Sequence, residues 1–229
     1  MLRDDLTRTL TLLLVRHGET QWNAERRWQG QHDIPLSANG REQALLLSRR
    51  LQIAWANGHL PGPPSTLFTS DLSRSVDTAR VLQDALPAPL PIRQLPDLRE
   101  RHFGSWEGLT EAEVQAQFGS IPSAPDGESY EAVWHRMNMA LNTIWHDSLT
   151  GDNRSEATAL VVGHGGSLRM LLARALGCGV EEARRFRLGN TSVSIVVFRG
   201  IDAPGADGYL LLANDTAHLD LPPQTAGTG

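Results

Sequence analysis

Apolar and polar positions alternate in blocks along the chain. Thr11-Leu12-Leu13-Leu14-Val15 is a short apolar run of strand length, and Ala157 to Val162 is the clearest second one. Thr66 to Thr69 and Leu90 to Leu95 are weaker strand candidates, Pro91 marking a strand start or an edge. Between these runs the apolar spacing turns helical. Ser37 caps a helix reaching about Trp55, Asp71 to Leu86 forms another, and Glu128 to about Leu149 forms a long amphipathic one. Thr110-Glu111-Ala112-Glu113 opens a short helix with a capping-box pattern, and Ser167 to Leu176 follows the second strand run. Ser192 to Phe198 and Tyr209 to Ala213 read as a closing hairpin or edge pair. Strands alternating with helices predict an α/β protein, a three-layer α/β/α sandwich around a mostly parallel central sheet.

Loop composition sets the boundaries. Asn57 to Ser65 holds three prolines and two glycines, and Gly151 to Glu156 is polar. No repeat or linker divides the chain. We read residues 1–220 as one domain with an insertion at about 104–127, and residues 221–229 as a disordered tail.

Composition narrows the chemistry. The 229 residues carry a net charge of −5, which argues against a nucleic-acid surface. No stretch approaches a membrane span, the first apolar run is too short for a secretion signal, and the single Cys178 excludes an internal disulfide. These features predict a cytoplasmic protein without membrane or nucleic-acid partners. All 21 basic residues are arginine, which excludes Schiff-base lysines and a P-loop lysine.

Two histidines share one context. His17 follows the first strand run and Arg16 and precedes Gly18; His164 follows the second run and Gly163 and precedes Gly165-Gly166. If both strands are central and parallel, both imidazoles stand at one sheet edge, where such folds bind ligands. A helix N-terminus just beyond His164 would favour an anion there. Metal binding is the competing reading, but neither histidine has ligand partners at metal-site spacing. His32, His59, His102, His135, His146 and His218 read as structural or surface residues.

Further segments join Arg16-His17-Gly18-Glu19-Thr20 in order. They are Asn23; Gln29-Gly30 with Asp33, Pro35 and Leu36; Ser70-Asp71 with Arg74; Leu98-Arg99-Glu100 with Gly104-Ser105-Trp106-Glu107-Gly108; Asp126-Gly127-Glu128-Ser129; and Gly163-His164-Gly165-Gly166. Together they resemble the histidine phosphatase superfamily, the phosphoglycerate mutase-like proteins. The resemblance implies a phosphohistidine on His17, with Arg16 and Arg74 around the phosphate and His164, if protonated, adding charge on the opposite side. Asn23, Gln29, Gly30 and Gly165 complete the phosphate pocket, and Glu100 acts as proton donor and then base. No metal or other cofactor is implied, because arginines supply the charge. The implied partner is a small phosphomonoester; exposed strand and helix faces leave room for a homodimer.

The branch is a further question. Mutases of this family carry a lysine in a segment resembling Gly-Leu-Asn-Lys-Ala-Glu, where this chain has Gly108-Leu109-Thr110-Glu111-Ala112-Glu113. They also carry an arginine pair in a longer insert, and Ala116 to Tyr130 contains no arginine. These departures predict a phosphatase, with a cofactor-dependent mutase and a non-catalytic phosphate-binding protein as alternatives. Glu111 and the tryptophans Trp22, Trp28 and Trp106 point weakly to an uncharged or aromatic leaving group.

Overall fold

A computed structural model describes residues 7–121, 123–149, 155–205 and 208–220. The expected tail at 221–229 and most of the polar loop at 151–156 lie outside the described residues. In chain order the elements are β1 (Arg8–Arg16), α1 (Gln21–Ala24), α2 (Ala38–Ala56), β2 (Thr66–Thr69), α3 (Ser73–Gln83), β3 (Ile92–Gln94), α4 (Glu111–Phe118), α5 (Tyr130–Leu149), β4 (Glu156–Gly163), α6 (Gly165–Ala175), α7 (Val180–Ala183), β5 (Val193–Gly200) and β6 (Tyr209–Asp215).

The six strands form one sheet in the order β3-β2-β4-β1-β5-β6. The β3-β2, β2-β4 and β4-β1 pairs are parallel; β5 runs antiparallel to both β1 and β6. The pleat of β1 divides its side chains between two cores. Leu10, Leu12 and Leu14 join α5 and α6 on one face, through residues such as Met137, Trp145 and Leu171. Leu13 and Val15 join α2 and α3 on the other, through Leu47, Leu51, Ala79 and Leu82. Helices therefore cover both faces, and the sheet is the middle of three layers.

Local chemistry explains most helix starts. The Ser37 side chain accepts from Gly40 N–H at 3.0 Å. Thr110 and Glu113 form the reciprocal capping box of α4. One expectation needs correction. Helix α6 begins at Gly165, not Ser167, with extended His164 as its N-cap. The expected closing edge pair is the antiparallel β5-β6 pair; β5 lies between β1 and β6, and Val193 to Phe198 are all buried. Between β3 and α5, Phe103, Trp106, Val114 and Ala124 form a small separate cluster, with Trp28 packed against it.

Candidate active site

Strand register creates the site. In the parallel β1-β4 pair, Arg16 lies opposite Gly163, so His17 and His164 leave neighbouring strands side by side. Their ring centroids are 5.1 Å apart. His17 N–H donates to Gly163 O at 2.9 Å, and Thr191 N–H donates to Arg16 O at 3.0 Å. Gly18 packs on α2 so closely that a Cβ would stand 2.4 Å from Gly40 O.

The tautomer of His17 follows from one contact. Nδ1 lies 2.7 Å from Gly18 O, and a carbonyl oxygen only accepts. Nδ1 therefore carries the proton, and Nε2 carries the lone pair. Burial, with the nearby Arg74 and Arg16 charges, pushes the His17 pKa well below its ordinary value. The ring is neutral at neutral pH, with the Nε2 lone pair unprotonated.

Arg74, on α3, is wholly buried. Its Nη1 and Nη2 donate to His32 O at 2.7 Å and Gly30 O at 2.8 Å, and its Nε donates to His164 Nδ1 at 3.3 Å. Burial lowers its pKa to about 10, and it remains charged. The Nε–H bond makes His164 Nδ1 an acceptor; His164 Nε2–H then donates to Ser70 Oγ at 2.9 Å. Burial, followed by Arg74, His17, Arg16 and Arg136, holds the His164 pKa well below its ordinary value. His164 is thus neutral, wholly buried, and set behind His17 and Arg74, so it does not add the charge that a protonated ring would bring.

Glu100 is held against the start of α6. The N-terminus of α6 is taken by its carboxylate: Oε2 accepts from Gly166 N–H at 2.8 Å and Oε1 from Arg101 N–H at 2.8 Å. A Cβ on Gly166 would fall 2.1 Å from Glu100 Oε1, so the helix opens on glycine to admit this side chain.

A cavity of about 460 Å³ brings together Arg16, His17, Asn23, Gln29, Gly30, Arg74, Glu100 and Gly165; His164 alone of the expected residues is not on its wall. Asn23 Oδ1 accepts from Thr20 N–H and from Asn190 Nδ2, and Gln29 Oε1 accepts from Thr20 Oγ1 at 2.9 Å. Neither amide NH2 group has a hydrogen-bond partner among the described residues. Arg16 Nη1 donates to Leu188 O at 2.6 Å, while its Nε is buried without a partner. Trp28 lines the cavity, whereas Trp106 packs behind Trp28 and Trp22 packs on His32. Among the described residues, no group of three His, Cys, Asp or Glu side chains is placed to hold a metal ion.

Sequence reasoning missed four arginines on this wall: Arg26, Arg27, Arg169 and Arg187. Arg169 had a legible signal, since it follows Gly165 by four residues on the same helix and shares its face. Arg26 follows the short α1, and Arg187 lies in the loop before β5; neither has local spacing that marks it. The cavity wall is thus arginine-rich, although Ala116 to Tyr130 contains no arginine.

The cavity joins a neutral histidine to six arginines at the carboxyl ends of parallel strands in an α/β sandwich. The sequence pattern of the histidine phosphatase superfamily (branch 1) matches residues 12–203, and the chain belongs to that superfamily. A probable phosphoglycerate mutase GpmB from Yersinia enterocolitica is 36% identical over 225 residues, covering 93% of this chain and 96% of the relative. Bacillus stearothermophilus YhfR is 31% identical with a TM-score of 0.73, over 92% of this chain and 99% of YhfR. The mycobacterial glucosyl-3-phosphoglycerate phosphatase Rv2419c, in complex with VO3, is 28% identical with a TM-score of 0.73, over 90% of this chain and 99% of that protein. Among the described residues, no helix is long and apolar enough to cross a membrane.

Proposed function

We propose that the protein hydrolyses a small phosphomonoester through a phosphohistidine on His17, without a metal ion. The observation that carries this reading is the His17 tautomer: the Nδ1–H donates to Gly18 O, leaving Nε2 free beside the cavity arginines. In the first step Nε2 attacks phosphorus and the P–O ester bond breaks. Glu100, on the cavity wall, passes a proton to the departing alkoxide. In the second step water attacks phosphorus, the P–N bond breaks, and the Glu100 carboxylate takes the water proton. Arg16, Arg74, Asn23 and Gln29 hold the phosphoryl oxygens through both steps. His164 acts by orienting Arg74 rather than by carrying charge.

The phosphatase relative supports hydrolysis; the relative named as a probable mutase favours a second reading, return of the phosphoryl group to a bound phosphoglycerate. Incubation with an aryl phosphate, then trapping of acid-labile phosphoenzyme, tests the main reading. We expect turnover and a trapped phosphohistidine, both lost in His17→Ala by a factor of at least about 10³. Turnover unchanged in that variant would overturn it. Phosphoglycerate isomerisation that outpaces hydrolysis, and that depends on a bisphosphate, would select the mutase.

A further inference from the structure

One buried carboxyl group has no part in the chemistry proposed above. Glu107, in the Gly104-Ser105-Trp106-Glu107-Gly108 segment, has a side chain only 3% exposed, and it is not on the cavity wall. Burying an acidic side chain is unfavourable unless its oxygens are satisfied. Two loops satisfy them together. Oε1 accepts from Phe103 N–H at 2.9 Å, in the segment after Glu100, and from Gln31 N–H at 3.1 Å, in the loop after Gln29. Oε2 lies 2.5 Å from His32 Nδ1, and His102 Nε2 stands 3.7 Å from Oε1.

These contacts bear on Arg74. The Gln31 N–H that Glu107 holds lies between the two carbonyls, Gly30 O and His32 O, that accept from Arg74 Nη2 and Nη1. Two of the three side-chain bonds that aim Arg74 therefore end on a three-residue turn pinned by Glu107. The fit between turn and carboxyl group is close. Gly30 has φ 53°, and a Cβ on it would stand 1.8 Å from Glu107 Oε1. Glycine there admits both the left-handed backbone and the side chain beneath it. Gln31 Nε2 also donates to Glu100 O at 3.2 Å, so the same turn is tied to the Glu100 segment. Glu107 further acts favourably on the Arg74 charge.

We propose that Glu107 is a positioning residue: by holding Gln31 N–H it fixes the Gly30–His32 turn, and through that turn the Arg74 guanidinium that grips the phosphoryl group. The proposal rests on the phosphate-cage reading above. Arg74 spends three N–H groups on the protein, and the two left for a phosphate point only as well as those three are held. A shift of the turn misaims them, and a misplacement of about 1 Å costs about 100-fold in rate.

Two variants separate placement from acidity. Glu107→Gln keeps the length and one oxygen to accept both N–H groups; its NH2 then faces His32 Nδ1, which accepts in the Nε2–H tautomer. Glu107→Asp keeps an acidic group but withdraws it by one methylene from Gln31 and Phe103. Each is assayed below its unfolding temperature, for inorganic phosphate binding by calorimetry and for kcat/KM on an aryl phosphate. We expect Glu107→Gln to stay within about threefold of wild type in both, and Glu107→Asp to lose about tenfold in phosphate affinity and about 10–100-fold in kcat/KM. In an Arg74→Lys background, Glu107→Asp should cost less than about twofold more in kcat/KM, because its effect passes through Arg74. On the wild type, phosphate should slow hydrogen exchange of the Gln31 amide by at least about threefold, a readout that needs no variant. Unchanged phosphate affinity in Glu107→Asp, a Glu107→Gln variant as impaired as Glu107→Asp, additive losses with Arg74→Lys, or Gln31 exchange indifferent to phosphate would each overturn the proposal. Phosphate binding without turnover in the wild type would instead defeat the hydrolase reading, and the affinity comparison would still decide the role of Glu107.

Discussion

At the scale of single residues, Arg74 sets the geometry of the cage. Its guanidinium is wholly buried and donates in three directions, to His32 O, Gly30 O and His164 Nδ1. A guanidinium has five N–H groups, so two remain for a phosphate. An ammonium cannot span these acceptors, because it is a point charge with no planar fork. Arg74→Lys should therefore lower kcat/KM by at least about 100-fold. It should also destabilise the fold by about 1–3 kcal/mol, because buried carbonyls lose their donors. Steady-state kinetics and urea unfolding of the same preparation check both parts. The identity of Arg74 as a site residue was legible from its motif. Its partnership with His164 was not, since it depends on a contact between residues 90 positions apart.

At the scale of elements, α6 joins the two halves of the site. His164 caps it, Gly165 borders the cavity, and Gly166 N–H holds Glu100. Paired glycines are poor helix formers, so local propensity favours a start at Ser167. The structure starts the helix at Gly165 because the Glu100 carboxylate binds there and leaves no room for a Cβ. Gly166→Ala therefore separates propensity from function. The change favours the helix by up to about 1 kcal/mol, yet it must displace Glu100. We expect a folded protein with near-native thermal stability and kcat reduced at least about tenfold. Native kcat in this variant would remove Glu100 from the mechanism. The strands β1 and β4 were legible because continuous apolar runs mark strands buried on both faces. The β5-β6 edge pair was legible as well; the burial of Val193 to Phe198 within that pair was not, since the apolar run of β5 fits either strand of the pair.

At the scale of the whole molecule, three buried histidines tie stability to pH. His17 and His164 have pKa values pushed well below the ordinary one, and burial lowers His218 to about 4. Each stays neutral in the folded state but protonates near pH 6.5 when unfolded. Below that pH the unfolded chain binds more protons, so stability is complete above about pH 6.5 and falls as the pH drops. The loss from His218 levels off near pH 4. Each proton contributes a slope of up to about 1.4 kcal/mol per pH unit. Denaturant unfolding between pH 7 and pH 4 should show this decline, and His218→Asn should reduce the slope by about one proton. A flat profile would mean that these rings titrate normally in the folded state.

The same distinction separates what sequence and fold each decide. Strand runs, helical spacing and the ordered motifs sufficed for the α/β sandwich, the superfamily and the inner residues from Arg16 to Glu100, because periodicity and short motifs are local properties of the chain. Only tertiary structure decided that His164 is neutral and behind the cage, that Glu100 occupies the helix N-terminus, and that Arg26, Arg169 and Arg187 share one wall. Burial, desolvation and the meeting of distant charges arise only when β1, α6 and the loop before β5 pack together, and no spacing along the chain encodes them.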